Sequence, residues 1–80
     1  MYIFGDIGNS EVKIFLVNSK NNSILKHINF SSKNFNNKIL SIKFKYLIKD
    51  FSKIKKILFC SVVPKSFILI KKFLFTYTNV

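Results

Sequence analysis

Arginine, alanine, tryptophan and glutamine do not occur in these 80 residues, and only three side chains, Asp6, Glu11 and Asp50, are acidic. The missing arginine removes the planar fork that reads phosphates and base edges bidentately, so a dedicated nucleic-acid site is not indicated. A single cysteine, Cys60, cannot form an internal disulfide. It falls in the apolar run from Ile57 to Val63, which predicts a small buried thiol, and a reducing cytoplasm fits that usage. No apolar run approaches the roughly 18 to 20 residues that span a bilayer. The most hydrophobic tail segment, Ser66 to Tyr77, is interrupted by Lys71-Lys72. The first residues carry no basic stretch and are broken by Asp6 and Asn9, which excludes a signal peptide. The lone histidine, His27, has no cysteine or acidic neighbour and reads as a packing or surface residue.

What is present points to one small domain with a core, since 49% of the chain is hydrophobic and 16% aromatic. A domain this size hides only about 60% of the surface its unfolded chain exposes, so its stability is marginal. The formal charge of +11 raises nucleic acid or an anionic membrane surface as a partner. Two observations weigh against it. Lys, Ile, Phe and Asn supply more than half of the residues, the signature of AT-rich coding, and the lysines are spread along the chain instead of forming a stripe. A small basic binder of nucleic acid or lipid would also interleave aromatics with charges on an exposed face, whereas most of the phenylalanines fall on predicted core faces.

Tyr2 to Ile7 is rich in strand formers and runs into the turn signal Gly8-Asn9-Ser10, which predicts a β-hairpin. The second arm, Glu11 to Asn18, sets Val12, Ile14 and Leu16 on one face and Lys13, Phe15 and Val17 on the other. After the polar cluster Asn18 to Ser23, Ile24, Lys26, Ile28 and Phe30 alternate with Leu25, His27 and Asn29 in a third strand. The period then changes. Leu40, Phe44, Leu47, Ile48 and Phe51 recur at helical spacing and predict an amphipathic helix. Ile57 to Val63 reads as a strand covered on both faces, ended by Pro64, whose fixed φ suits the first turn of a helix over Lys65 to Phe75. Tyr77 to Val80 reads as the start of a further strand. The order β-β-β-α-β-α with a mixed sheet is an α/β arrangement of the ribonuclease-H-like, actin-like kind, without internal repeat or second domain.

Chemistry concentrates at Asp6-Ile7-Gly8-Asn9-Ser10. At a hairpin mouth Gly8 permits positive φ and lets main-chain N–H groups approach an anion. The Asp6 carboxylate can hold Mg²⁺ through water, Asn9 and Ser10 add short hydrogen-bonding side chains, and Lys13 can bring an ammonium to a β- or γ-phosphate. The same residues are also ordinary turn chemistry, with Lys13 a solvated strand lysine and Glu11 an exposed position without a role.

With Lys13 closing the hairpin, Asp6-Ile7-Gly8-Asn9-Ser10 resembles the opening of type III pantothenate kinases, in which a strand runs into Asp-Ile-Gly-Asn-Thr; Ser10 keeps the hydroxyl. A second landmark of that family, a strand ending in Ser-Val-Val-Pro before a helix, stands here as Ser61-Val62-Val63-Pro64. The resemblance covers essentially the whole chain. It implies ATP-dependent phosphorylation of pantothenate to 4'-phosphopantothenate, the first step of coenzyme A synthesis, by a cytoplasmic homodimer without nucleic-acid or membrane partners. It further implies ATP, Mg²⁺ and a monovalent cation, K⁺ or NH₄⁺, as cofactors, with Asp6 on the metal and the nucleotide phosphates along Asp6, Ile7, Gly8, Asn9, Ser10, Glu11, Val12 and Lys13.

The family's general base lies in a later Gly-x-Asp-Arg segment, and this chain has no arginine. Asp50, among Lys49 and Lys53, is expected to balance local charge. The resemblance therefore implies an incomplete and by itself inactive portion of the enzyme, with no catalytic residue of its own, from a truncated, split or decayed coding sequence. The alternatives are another kinase or a non-catalytic nucleotide-binding module of the actin-like group, and a small basic protein that binds nucleic acid or a lipid surface.

Overall fold

The computed structural model describes residues 1–33 and 35–77. Three strands come first, β1 (Tyr2–Ile7), β2 (Glu11–Val17) and β3 (Ile24–Ser31). Helix α1 (Asn37–Leu47), a 3-10 turn (Phe51–Lys53), strand β4 (Lys56–Ser61) and helix α2 (Pro64–Tyr77) follow. The sheet order is β3-β2-β1-β4, with β1–β2 and β2–β3 antiparallel and β4 parallel to β1. This is the mixed α/β sheet that the pattern predicts.

Strand alternation decides which side of the sheet is covered. Ile3 and Ile7 of β1, Val12 and Ile14 of β2 and Ile28 and Phe30 of β3 are buried and form one core with Leu40 and Phe44 of α1 and Ile70 and Leu74 of α2. Both helices thus lie on one face of the sheet. The Phe44 and Phe73 rings meet across the two helices at 5.5 Å. Gly5 lies in the same layer at a point where a Cβ would run into the ring of Phe59, so the absent side chain makes room for that phenylalanine.

The opposite face is bare, and this corrects two expectations. Leu58 of β4 and Phe4 of β1 are 41% and 37% exposed, and the Cys60 thiol is exposed as well. Strand β4 is consequently covered on one face, and Cys60 is not a core thiol. An unbroken apolar run does not reveal which of its faces finds a partner, because that depends on where the helices pack. His27 also lies on this open face, its ring 6.1 Å from that of Phe15.

Helix α1 begins where the Asn36 side chain accepts the Ile39 N–H at 3.0 Å, a standard N-cap. It ends earlier than the apolar spacing suggests. Ile48 adopts extended backbone at φ −128° and ψ 119°, and Phe51 belongs to the separate 3-10 turn. Asp50 caps that turn, its carboxylate accepting from the Ser52 N–H at 3.0 Å and the Ser52 hydroxyl at 2.6 Å. Its principal role is thus hydrogen bonding, and charge balance is secondary. The hydroxyl and then the amide of Ser52 hold the Asp50 carboxyl below its usual value, with the Lys53 charge a smaller contribution. A depressed folded-state value stabilises above the unfolded pKa, about 3.9 for Asp, and that contribution is lost as pH falls through the folded value. Asp50→Asn should therefore melt below wild type at pH 7, with the gap closing as pH drops below about 4; an unchanged gap in thermal scans across that range would refute the cap's ionic contribution.

Helix α2 starts at Pro64 as predicted and extends to Tyr77. The strand expected from Tyr77 onward is contradicted at Tyr77, and positions 78–80 lie outside the described residues. No helix among the described residues is long and apolar enough to cross a membrane.

Candidate functional site

The carboxyl ends of β1 and β4 lie side by side, because their parallel register pairs Ile7 with Ser61. Beyond that pair the Val62 N–H donates to the Ile7 carbonyl at 3.0 Å. Pairing therefore joins Asp6–Ser10 to Ser61–Pro64, two stretches far apart in the chain. The Ser61 hydroxyl accepts the Val63 N–H at 3.1 Å and closes the turn into α2, whose amino terminus opens at this same end of the sheet. Carboxyl ends of parallel strands and amino ends of helices are where α/β proteins receive anionic ligands.

The hairpin is closed by the Gly8 N–H donating to the Glu11 carbonyl at 2.9 Å, leaving Asn9 and Ser10 as a two-residue tip. The main-chain N–H groups of Asn9 and Ser10 have no hydrogen-bond partner among the described residues. The expectation that Gly8 supplies positive φ is not met. Among the described residues that backbone region is occupied by Asn22, at φ 58°, and by no glycine. Gly8 serves close approach instead, since a Cβ there would stand 3.3 Å from the Glu11 carbonyl oxygen.

The eight residues singled out in the sequence separate by burial. Ile7 and Val12 are 1% and 0% exposed, so their side chains belong to the core and only their main chain borders the site. Asp6, Asn9, Ser10, Glu11 and Lys13 are exposed. Register places Asp6 beside Lys13 on one side and Cys60 on the other, on the open face of the sheet. Glu11 is engaged, its carboxylate accepting from the Asn29 side-chain amide at 3.3 Å. Asp50 is excluded from this constellation by position. It precedes β4, near Met1, whose carbonyl accepts the Lys55 N–H at 2.9 Å. A six-residue strand separates that end from the hairpin, a span of roughly 20 Å.

Two residues of the site were not singled out in the sequence, Ser32 and Ser66. The Ser32 hydroxyl donates to the Gly8 carbonyl at 2.7 Å, and the Ser32 N–H donates to the Ser10 carbonyl at 3.1 Å. The Ser66 hydroxyl in turn donates to the Ser32 carbonyl at 3.3 Å. A serine inside the polar stretch after β3 and another in the first turn of a helix carry no spacing that would mark them.

A hairpin-led, mixed four-stranded sheet with two helices is compatible with half of an actin-like domain, with the hairpin at the carboxyl ends of β1 and β4. No family model matches the chain. Within that class the sequence is similar to one particular enzyme: over 73 residues it is 48% identical to a type III pantothenate kinase of Pelagibacter ubique (strain HTCC1062). The matched stretch takes in 91% of this chain and 29% of the relative, so the chain spans less than a third of that protein's length.

Proposed function

We propose that this chain is the nucleotide-phosphate-binding portion of a type III pantothenate kinase, which in the complete enzyme transfers the γ-phosphoryl group of ATP to the hydroxyl of pantothenate. The observation that carries the reading is the convergence of Asp6–Ser10 with Ser61–Pro64 at one end of the sheet, through the 3.0 Å bond from Val62 to Ile7. The similarity to a protein of that name supports the same assignment.

In this reading the Asn9 and Ser10 amides donate to phosphate oxygens, and the Lys13 ammonium, on the same open face as Asp6, offsets their charge. Asp6 suits Mg²⁺. A single exposed carboxylate matches a small cation that keeps several waters and takes its remaining ligands from phosphate oxygens. The metal would supply neutralisation of charge between the phosphates. Removal of the acceptor's proton is assigned to a residue outside this chain, because Asp50 is bonded to Ser52 at the far end of the sheet. That separation also keeps a second reading open, a nucleotide-binding module that performs no transfer.

A titration of the ¹⁵N-labelled chain with MgATP tests the proposal. The Asn9 and Ser10 amide signals are expected to shift in a saturable way that persists in 0.2 M salt, while those around Asp50 stay in place. Shifts spread over the lysines and abolished by that salt would instead establish a general polyanion-binding surface.

A further inference from the structure

We propose that Ser32 and Ser66 are positioning residues for the hairpin, two buried hydroxyls in series that aim its tip at the ligand. Among the described residues the buried polar side chains are these two, Ser32 at 8% exposure and Ser66 at 4%. Burying a hydroxyl is costly unless it is hydrogen-bonded, and both are bonded along one line leading to the tip.

Peptide planarity gives that line its consequence. In a trans peptide the carbonyl of one residue and the N–H of the next point in opposite directions. The Gly8 carbonyl is held by the Ser32 hydroxyl at 2.7 Å, so the Asn9 N–H of the same peptide is turned away from Ser32. On the other side of Asn9, the Ser10 carbonyl is held by the Ser32 N–H at 3.1 Å. One residue thus grips the tip at both ends, with the Asn9 N–H facing outward between them. The hold is anchored in its turn, because the Ser66 hydroxyl at the start of α2 bonds the Ser32 carbonyl at 3.3 Å. Without the Ser32 hydroxyl the Gly8–Asn9 peptide is free to rotate, and a ligand must then order the tip as it binds.

The ligand part of this inference rests on the phosphate reading, whereas the order of the tip is a property of the free chain. ¹⁵N relaxation of the chain without nucleotide therefore comes first. In Ser32→Ala the order parameters of Asn9 and Ser10 should fall below about 0.6 from the rigid range near 0.85, with those of Leu40 and Phe44 unchanged. MgATP affinity should weaken roughly tenfold, the worth of one well-placed hydrogen bond, and Ser32→Thr should restore both quantities. Ser66→Ala should show the same pattern at smaller size, and it decides the matter if Ser32→Ala does not fold. Wild-type order at the tip in a folded Ser32→Ala or Ser66→Ala chain, or a loss of order spread evenly over the chain, would overturn the proposal. A wild-type chain that ignores MgATP would refute the phosphate reading alone and leave the relaxation result to judge the positioning role.

Discussion

Asp6→Ala should weaken MgATP binding by roughly 10- to 100-fold while leaving binding of metal-free ATP nearly unchanged, as isothermal titration of the two ligands would show. The contrast follows from where the carboxylate stands. Asp6 is exposed at the end of β1, paired in register with Lys13 and separated from the core by the pleat, so its removal costs no packing. Thermal stability should accordingly stay within about 0.5 kcal/mol of wild type, the usual range for a surface change. Without a metal, a carboxylate next to a triphosphate is a liability, and its loss should even slightly favour the bare nucleotide. Equal MgATP affinity in wild type and variant would remove Asp6 from the metal and leave only the amides and Lys13 in the site.

The second large effect is on stability. Phe44→Ala should leave the chain mostly unfolded at 25 °C, with the cooperative transition lost from urea titrations followed by circular dichroism. Phe44 is 0% exposed, packs against the Phe73 ring at 5.5 Å and stands where α1, α2 and the sheet meet. Truncation of a buried phenylalanine costs about 3–5 kcal/mol through lost transfer energy and the cavity left behind. A core in a chain this short supplies only about 3–5 kcal/mol in total, so the loss is comparable to the whole. Phe75→Ala serves as the contrast, since Phe75 is 56% exposed and its truncation empties no cavity. A sharp transition in Phe44→Ala at a denaturant concentration near wild type would show that the core is held by contacts other than the helix–helix layer.

Local pattern carried most of the architecture. Alternation in Val12, Ile14 and Leu16 and helical spacing in Leu40, Phe44 and Leu47 each put the right side chains inwards, because those periods are set by the backbone geometry of strand and helix. The Gly8–Ser10 turn and the start of α2 at Pro64 were legible from residue type instead, through turn-forming side chains and proline's fixed φ. The end of α1 was less so. Phe51 keeps the helical spacing, yet Asp50 and Ser52 form a tighter local hydrogen-bonded turn and break the helix before it.

Sequence alone therefore determined the order β-β-β-α-β-α, the core side of β2 and α1 and the residue types at the hairpin. Tertiary structure decided the rest. It placed Ser61–Pro64 against Ile7, sent Asp50 to the far end of the sheet, left Cys60 on an open face, and recruited Ser32 to hold the Gly8 carbonyl and Ser66 to hold that of Ser32. Each of these depends on partners more than twenty residues away or on which face the helices cover. A repeating pattern along the chain reports how a residue points relative to its neighbours, and only packing determines what it meets there.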